Sequence, residues 1–357
     1  MKNEFLLALD YPKIIKFFRG KKKVKKFLKA VASVAFVGML AACGSGNTSG
    51  DGTADSVSIG YFPNLDHAAG IVGMEKGFFQ DELGEVEANF RDFPNGNDFI
   101  EALDAGTLDI GYVGPGPAIN YFLRGGDVVV ISAAANGATL IVAREDAGIE
   151  TLEDFDGKSF CTPGNGCTHN VQLEIMLQDL GLQSNRLGGT VEHQSRVAPA
   201  NMVAMFEQGQ IDAAAAPEPW GTYLVEELGA KVVSEWNDVF LGETLASVVL
   251  VTSKRFMEEQ PEIVEAMLKG HIQAVNYTHE NTEDTLKTIN DSLYNLTQQR
   301  LPESVLENAW QRMVVTTDTF PEALQAWADA SYQLSFIEDD PDLTGFVDTT
   351  KLEELLK

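Results

Sequence analysis

The stretches FIEALDAGTLDIGYVGPGP (99–117) and MVAMFEQGQIDAAAAPEPW (202–220) decide how this chain is built. Each reads as an amphipathic helix, a glycine that closes it (Gly106, Gly209) and a Leu/Ile-Asp pair (Leu108-Asp109, Ile211-Asp212). A short buried strand and a proline-rich loop follow in both. Glycine at that point permits the left-handed turn that ends a helix. A looser echo joins YFPNLDHAAGIVGMEKG (61–77) to TPGNGCTHNVQLEIMLQDLG (162–181). In each, a Pro/Asn loop runs into a helix with a histidine in its first turn, His67 and His169. Two echoes at nearly equal spacing predict two similar α/β lobes.

Outward from these stretches, strand-like runs such as VSIGYF, VVVISAA and VVLVTS alternate with amphipathic helices. That is the rhythm of βαβ units and a mostly parallel sheet. GATLIVARE (137–145) and LASVVLVTS (245–253) read as two crossings between lobes. The expected organisation is therefore a first lobe over 56–144, a second over 145–246, and a return to the first over 247–357. From Arg255 onward the pattern is helical, with Pro261 and Pro302 opening helices. Two crossings make a hinge, and ligands of such sheets bind where strand ends meet helix starts.

The N-terminal end speaks of export. Ten of the 26 Lys/Arg but only two of the 53 Asp/Glu lie in residues 1–42, and the uncharged run Ala30–Ala42 closes that segment. So short a run suits the core of a signal peptide rather than a membrane span. Leu40-Ala41-Ala42-Cys43 resembles a bacterial lipobox, which implies cleavage before Cys43 and lipid on its sulfur. The polar stretch 43–55 then reads as a flexible tether to a membrane anchor. Beyond residue 42 the chain keeps 16 basic against 51 acidic side chains, a net charge of −35. That excludes nucleic acid, which needs a basic face, but leaves room for an anionic solute in a closed pocket.

With Cys43 assigned to lipid, two of the three cysteines remain, in KSFCTPGNGCTHN (158–170). Outside the cytosol a nearby pair is by default a disulfide. As free thiols, Cys161 at a strand end and Cys167 at a helix start both face the cleft. A helix N-terminus lends Cys167 thiolate character. Soft sulfur then selects a soft metal or organometal, with His169 adding a nitrogen. C-x5-C-x-H lacks the paired spacing of a structural zinc site, and both alternatives stand.

The motifs IGYFPNLDHAAGIVGMEKGFF, LDIGYVGPGPAIN, AAANGATLIV, GQIDAAAAPEPWG and FMEEQPEIVEAMLKGHIQA follow one another, in that order, between residues 56 and 280. Together they resemble the nitrate/sulfonate/taurine-type substrate-binding proteins of ABC importers. The resemblance implies a type 2 periplasmic-binding-protein fold, two-lobed α/β with two hinge crossings and a helical C-terminal part. It implies a monomer on the extracytoplasmic face that hands a small-molecule solute to a membrane permease with a cytoplasmic ATPase. Relatives carry a loop resembling A-T-P-x-x-G-N-T-Q where this chain has Cys161, Cys167 and His169. That variation is similar to a subgroup linked to selenocysteine-assisted organometal uptake. The solute is accordingly expected to be nitrate-, sulfonate- or taurine-like, or a thiophilic organometal held by Cys161 and Cys167.

The expected ligand-binding set is Phe62, Asn64, His67, Gly114, Pro115, Gly116, Asn136, Cys161, Cys167, Thr168, His169, Glu218 and Trp220. Helix N–H groups after GPGP (114–117) suit an anion. Asn136 offers an amide or caps a turn, and Trp220 walls the pocket or packs. Glu218 faces the ligand or clasps the opposite lobe. His193, His271 and His279 read as packing or surface residues. No P-loop, G-x-G-x-x-G or H-E-x-x-H pattern occurs, so no cofactor and no enzyme activity are expected. A thiamin-precursor-synthase-like enzyme on the same fold is the alternative.

Overall fold

The computed structural model describes residues 54–338 and 340–357; the expected signal segment 1–42 and the expected lipidation site Cys43 lie outside them. In chain order the first part runs β1 (Ser56–Tyr61), α1 (Ala68–Glu75), α2 (Phe78–Leu83), β2 (Glu87–Asp92), α3 (Gly96–Asp104), β3 (Ile110–Val113), α4 (Pro115–Leu123) and β4 (Val129–Gly137). The second part holds β5 (Thr139–Ala143), β6 (Ser159–Cys161), α5 (Thr168–Asp179), β7 (Glu192–Gln194), α6 (Pro199–Glu207), β8 (Ala213–Pro217), α7 (Trp220–Leu228) and β9 (Lys231–Ser234). The chain then returns through β10 (Ala246–Thr252), α8 (Lys254–Glu259), α9 (Pro261–Glu280), α10 (Thr282–Thr297), α11 (Glu303–Trp310), β11 (Met313–Val315), α12 (Pro321–Gln333) and α13 (Thr350–Leu355). Among the described residues no helix is long and apolar enough to cross a membrane.

The strands form two sheets, ordered β11-β4-β10-β3-β1-β2 and β7-β6-β8-β5-β9. The echo seen in the sequence is an echo of topology. β2-β1-β3 in one sheet matches β7-β6-β8 in the other, and an antiparallel strand arriving from the other lobe (β10, β5) pairs beside each. Gly106 and Gly209 both take positive φ, 65° and 62°, as helix-closing residues do. The paired aspartates do equivalent work. Asp109 Oδ2 accepts the Ser58 N–H of β1 at 2.8 Å, and Asp212 Oδ2 accepts the Ser159 N–H of β6 at 2.9 Å. Each ties its strand to the neighbour that follows the Leu/Ile-Asp pair.

Two features differ from expectation. The sheets are mixed rather than mostly parallel, because both crossing strands enter against the run of their hosts: β10 is antiparallel to β3 and β4, and β5 to β8 and β9. The first passage between sheets falls at Ala138, so Thr139–Ala143 pairs in the second sheet although the sequence grouped it with the first lobe. The return strand β10 begins at Ala246. In the helical C-terminal part, α9 lies on α1 and α2, while Trp327 of α12 is fully buried in a cluster with Val171 and Ile175 of α5. That cluster joins the two lobes on the side where α4 and α5 start.

Candidate functional site

Five helices begin around one small cavity of about 30 Å3 between the sheets. Asn64, Asp66 and His67 come from the turn that leads into α1, and Asn95 and Gly96 from the start of α3. Gly114 and Pro117 open α4, Cys167, Thr168 and His169 open α5, and Pro199 opens α6. Local sequence makes these starts. Asn95 Oδ1 accepts the N–H groups of Asn97 and Asp98 at 3.0 and 3.1 Å, satisfying donors that the first turn leaves unpaired. Pro115 and Pro199 occupy first helical positions, where a missing N–H costs nothing. Each aligned helix brings roughly half a positive charge to its start. Ser247, from the return strand β10, and Phe62 complete the walls.

The side chains add no compensating charge. His67 Nδ1 accepts the Phe62 N–H at 3.3 Å, which leaves Nε2 as the protonated nitrogen of a neutral ring. Burial pushes His67 down to about 3, with neighbouring His169 adding to the shift, and burial alone pushes His169 down to about 4. Asp66 goes the other way. Burial, reinforced by Glu218, pushes its carboxyl up to about 8. At neutral pH the cavity thus holds two uncharged imidazoles and a carboxylic acid under convergent helix dipoles.

The lobes are held together around this cavity. Trp220 Nε1 donates to Asn64 Oδ1 at 3.1 Å, and the Leu65 N–H donates to the Glu218 carbonyl at 2.9 Å. Gly116 N–H donates to Thr168 Oγ1 at 3.2 Å, and Asn120 Nδ2 to the Gly166 carbonyl at 2.8 Å. Behind Glu218, Arg312 reaches both oxygens of Glu235 at 3.0 and 3.2 Å and the Thr222 hydroxyl at 2.8 Å. Glycine at 114 and 116 is required by this approach. A Cβ on Gly114 would lie 2.7 Å from Thr168 Oγ1, and one on Gly116 would lie 2.7 Å from the Thr168 amide nitrogen.

Of the expected site residues, Phe62, Asn64, His67, Gly114, Cys167, Thr168 and His169 line the cavity together. Pro115, Gly116, Asn136, Cys161, Glu218 and Trp220 do not. Pro115 and Gly116 shape the start of α4. Asn136 spends its amide on the Glu243 carbonyl at 2.8 Å. Trp220 is fully buried and reaches the site only through Asn64. The Glu218 carboxylate turns into its own helix, accepting the Thr222 N–H at 2.9 Å and its hydroxyl at 2.8 Å. Burial nevertheless pushes Glu218 up to about 7.

The cysteine pair departs furthest from expectation. Both thiols are free, so they form no disulfide. Cys161 has no exposed surface, and its place on β6 buries it in the apolar core rather than in the cavity wall. Among the described residues no group of three or more His, Cys, Asp or Glu could hold a metal ion, so Cys161, Cys167 and His169 make no metal centre. Nor does Cys167 gain thiolate character. Desolvation pushes its thiol up and outweighs the backbone N–H groups of Asn170 and His169 that face the sulfur.

Asp66, Asn95, Gly96 and Ser247 line the site without having been singled out from sequence. Asn before a helical pattern is a usual cap signal, and Asp66 stands beside His67 in the same first turn, so these two had a local cue. Ser247 had none, because β10 reaches the cavity only through the long return of the chain.

A family model described as the NMT1-like family matches residues 50–290. A Bacillus subtilis (strain 168) protein named for aliphatic sulfonate binding is 27% identical over 341 residues, covering 94% of this chain and 98% of its own. Among solved structures, the alkanesulfonate-binding protein SsuA from Xanthomonas axonopodis pv. citri, bound to MOPS, superposes with a TM-score of 0.71 at 21% identity. That match covers 83% of this chain and 99% of the other. The periplasmic nitrate-binding protein NrtA from Synechocystis PCC 6803 gives 0.70 at 13% identity, covering 84% and 88%. These likenesses establish the periplasmic-binding-protein fold.

Proposed function

The chain belongs to the NMT1-like family, and from that premise we propose that it is the solute-capturing component of an ABC importer, tethered outside the cytoplasm by lipid on Cys43. The captured solute is a small oxyanion of the nitrate or sulfonate kind. One observation carries this reading: five helix starts converge on a cavity whose own acid is held neutral. The converging dipoles of these helix starts favour negative charge without any lysine or arginine. A volume near 30 Å3 holds a water or so. A sulfonate head therefore enters with the lobes parted, and closure over it supplies the signal that a permease and its ATPase read. The names carried by relatives describe binding, which favours capture over the thiamin-precursor-synthase-like alternative.

A second reading has its own observation. The Cys167 thiol and the unpartnered Nε2 of His169 line the same cavity, which suits a thiophilic organometal held by one thiol rather than two. A thermal-melt panel on the reduced full chain separates the readings, with nitrate, methanesulfonate, taurine and one equivalent of an organomercurial. Solute at a hundred times its Kd stabilises the folded chain by about 2.7 kcal/mol. The oxyanion reading expects nitrate or a sulfonate to raise Tm, and Cys161→Ser/Cys167→Ser to keep that response. A shift by the organomercurial alone, lost in that variant, favours the second reading. No shift by any of the four sinks both.

A further inference from the structure

Three buried polar atoms without a hydrogen-bond partner face the same cavity: Asp66 Oδ1, His169 Nε2 and Ser247 Oγ. Burying such groups unpaired is unfavourable, and at a binding site they mark atoms whose partner is the ligand. Asp66 is the unusual member, a carboxyl only 2% exposed in a pocket otherwise built for negative charge. Its surroundings give it no cation. Glu218 at the end of β8 repels it, and His67 on its own turn is neutral. Cys167 and His169 at the start of α5 are likewise uncharged. β4 and β10, which pack on the same turn, carry no titratable side chain, and Glu303 and Glu307 of α11 are exposed. Arg312 faces Glu218 and Glu235 instead.

An ionised Asp66 and an anionic solute cannot share so small a buried space, because like charges there favour protonation of one of them. We propose that Asp66 enters the complex as a carboxylic acid whose O–H donates to an oxygen of the captured anion, so that solute and proton are taken up together. Where the free site has lost its proton, the carboxylate takes one from water or buffer. Its O–H bond forms as the donor's bond to hydrogen breaks, and the donor's conjugate base stays in solution. The solute itself is held by the hydrogen bond without covalent change. Asp66 thereby becomes a specificity-determining residue, selecting a solute that presents an acceptor oxygen at that place. This rests on the oxyanion reading above.

Titration calorimetry on the full chain tests it, with methanesulfonate and nitrate as probes at pH 7 and pH 9, each in two buffers of different ionisation enthalpy. Since Asp66 is pushed up to about 8, wild type should take up about 0.1 proton per solute at pH 7 and about 0.9 at pH 9. Its Kd should rise about tenfold per pH unit above pH 8. Asp66→Asn should bring the uptake at pH 9 near zero. Binding at both pH values with no proton uptake in wild type overturns this inference and leaves the oxyanion reading standing. Uptake that persists in Asp66→Asn overturns the assignment to Asp66. Failure of both probes to bind wild type at either pH overturns both conclusions.

Discussion

Gly116→Ala should separate closure of the lobes from stability of the chain. The added Cβ would lie 2.7 Å from the Thr168 amide nitrogen, 2.7 Å from Trp327 Cζ2 and 3.0 Å from the Cys167 carbonyl carbon. Two of these are backbone atoms of the peptide bond that leads into α5, so no rotamer change relieves them. Overpacking of this kind costs about 1–3 kcal/mol, and the cost falls on the closed form, in which the starts of α4 and α5 meet. Alanine in place of glycine also favours the helix by up to about 1 kcal/mol, but it does so in open and closed forms alike. The closed population, and with it the affinity for the solute that stabilises wild type, should therefore drop by about 5- to 150-fold. Calorimetric titration gives the Kd, and urea unfolding without solute gives the stability. A Kd within twofold of wild type in a normally folded variant would refute the idea that these glycines exist to let the lobes meet.

Two more outcomes follow from burial. His67, His169, His193 and His271 are pushed down to between about 3 and about 4, chiefly by desolvation. The unfolded chain therefore takes up their protons first, and the stability they contribute is lost as pH falls from about 6.5 towards 4. Asp66 and Glu218 are pushed up, to about 8 and about 7, so their contribution is lost as pH rises from about 4 towards 8. Stability in urea should peak near pH 6.5, and a continuous rise from pH 5 to pH 9 would contradict these assignments. Cys161 and Cys167, buried with raised thiol pKa values, should resist Ellman's reagent at pH 7 in the folded chain and react in 8 M urea. Fast reaction of either in the folded chain would show that burial does not protect it.

Much of the site was legible where its cause is local. Gly106 and Gly209 announce helix ends, the Asp109 and Asp212 echo announces two copies of one unit, and His67, Thr168 and His169 stand at helix starts that the pattern itself marks. The cysteines show where this stops. The sequence places Cys161 at a strand end and Cys167 at a helix start and expects both to face the cleft, yet the strand end lies inside the core and only the helix start reaches the cavity. Five residues of loop separate those fates, and nothing in residue type announces the choice. Glu218 illustrates the same point. It stands in a loop that suggests ligand contact, but its carboxylate caps its own helix and its backbone carbonyl makes the contact across the lobes.

The sequence alone determined the repeated α/β unit, the positions of the helix starts and the acidic balance of the body, because periodicity, turn residues and charge are properties of neighbours along the chain. Tertiary structure alone decided that five of those helix starts face one cavity, that Ser247 joins them from the returning strand, and that Asp66 holds its proton. The physical reason is desolvation. The charge state of a carboxyl, an imidazole or a thiol depends on how much water the rest of the fold leaves around it.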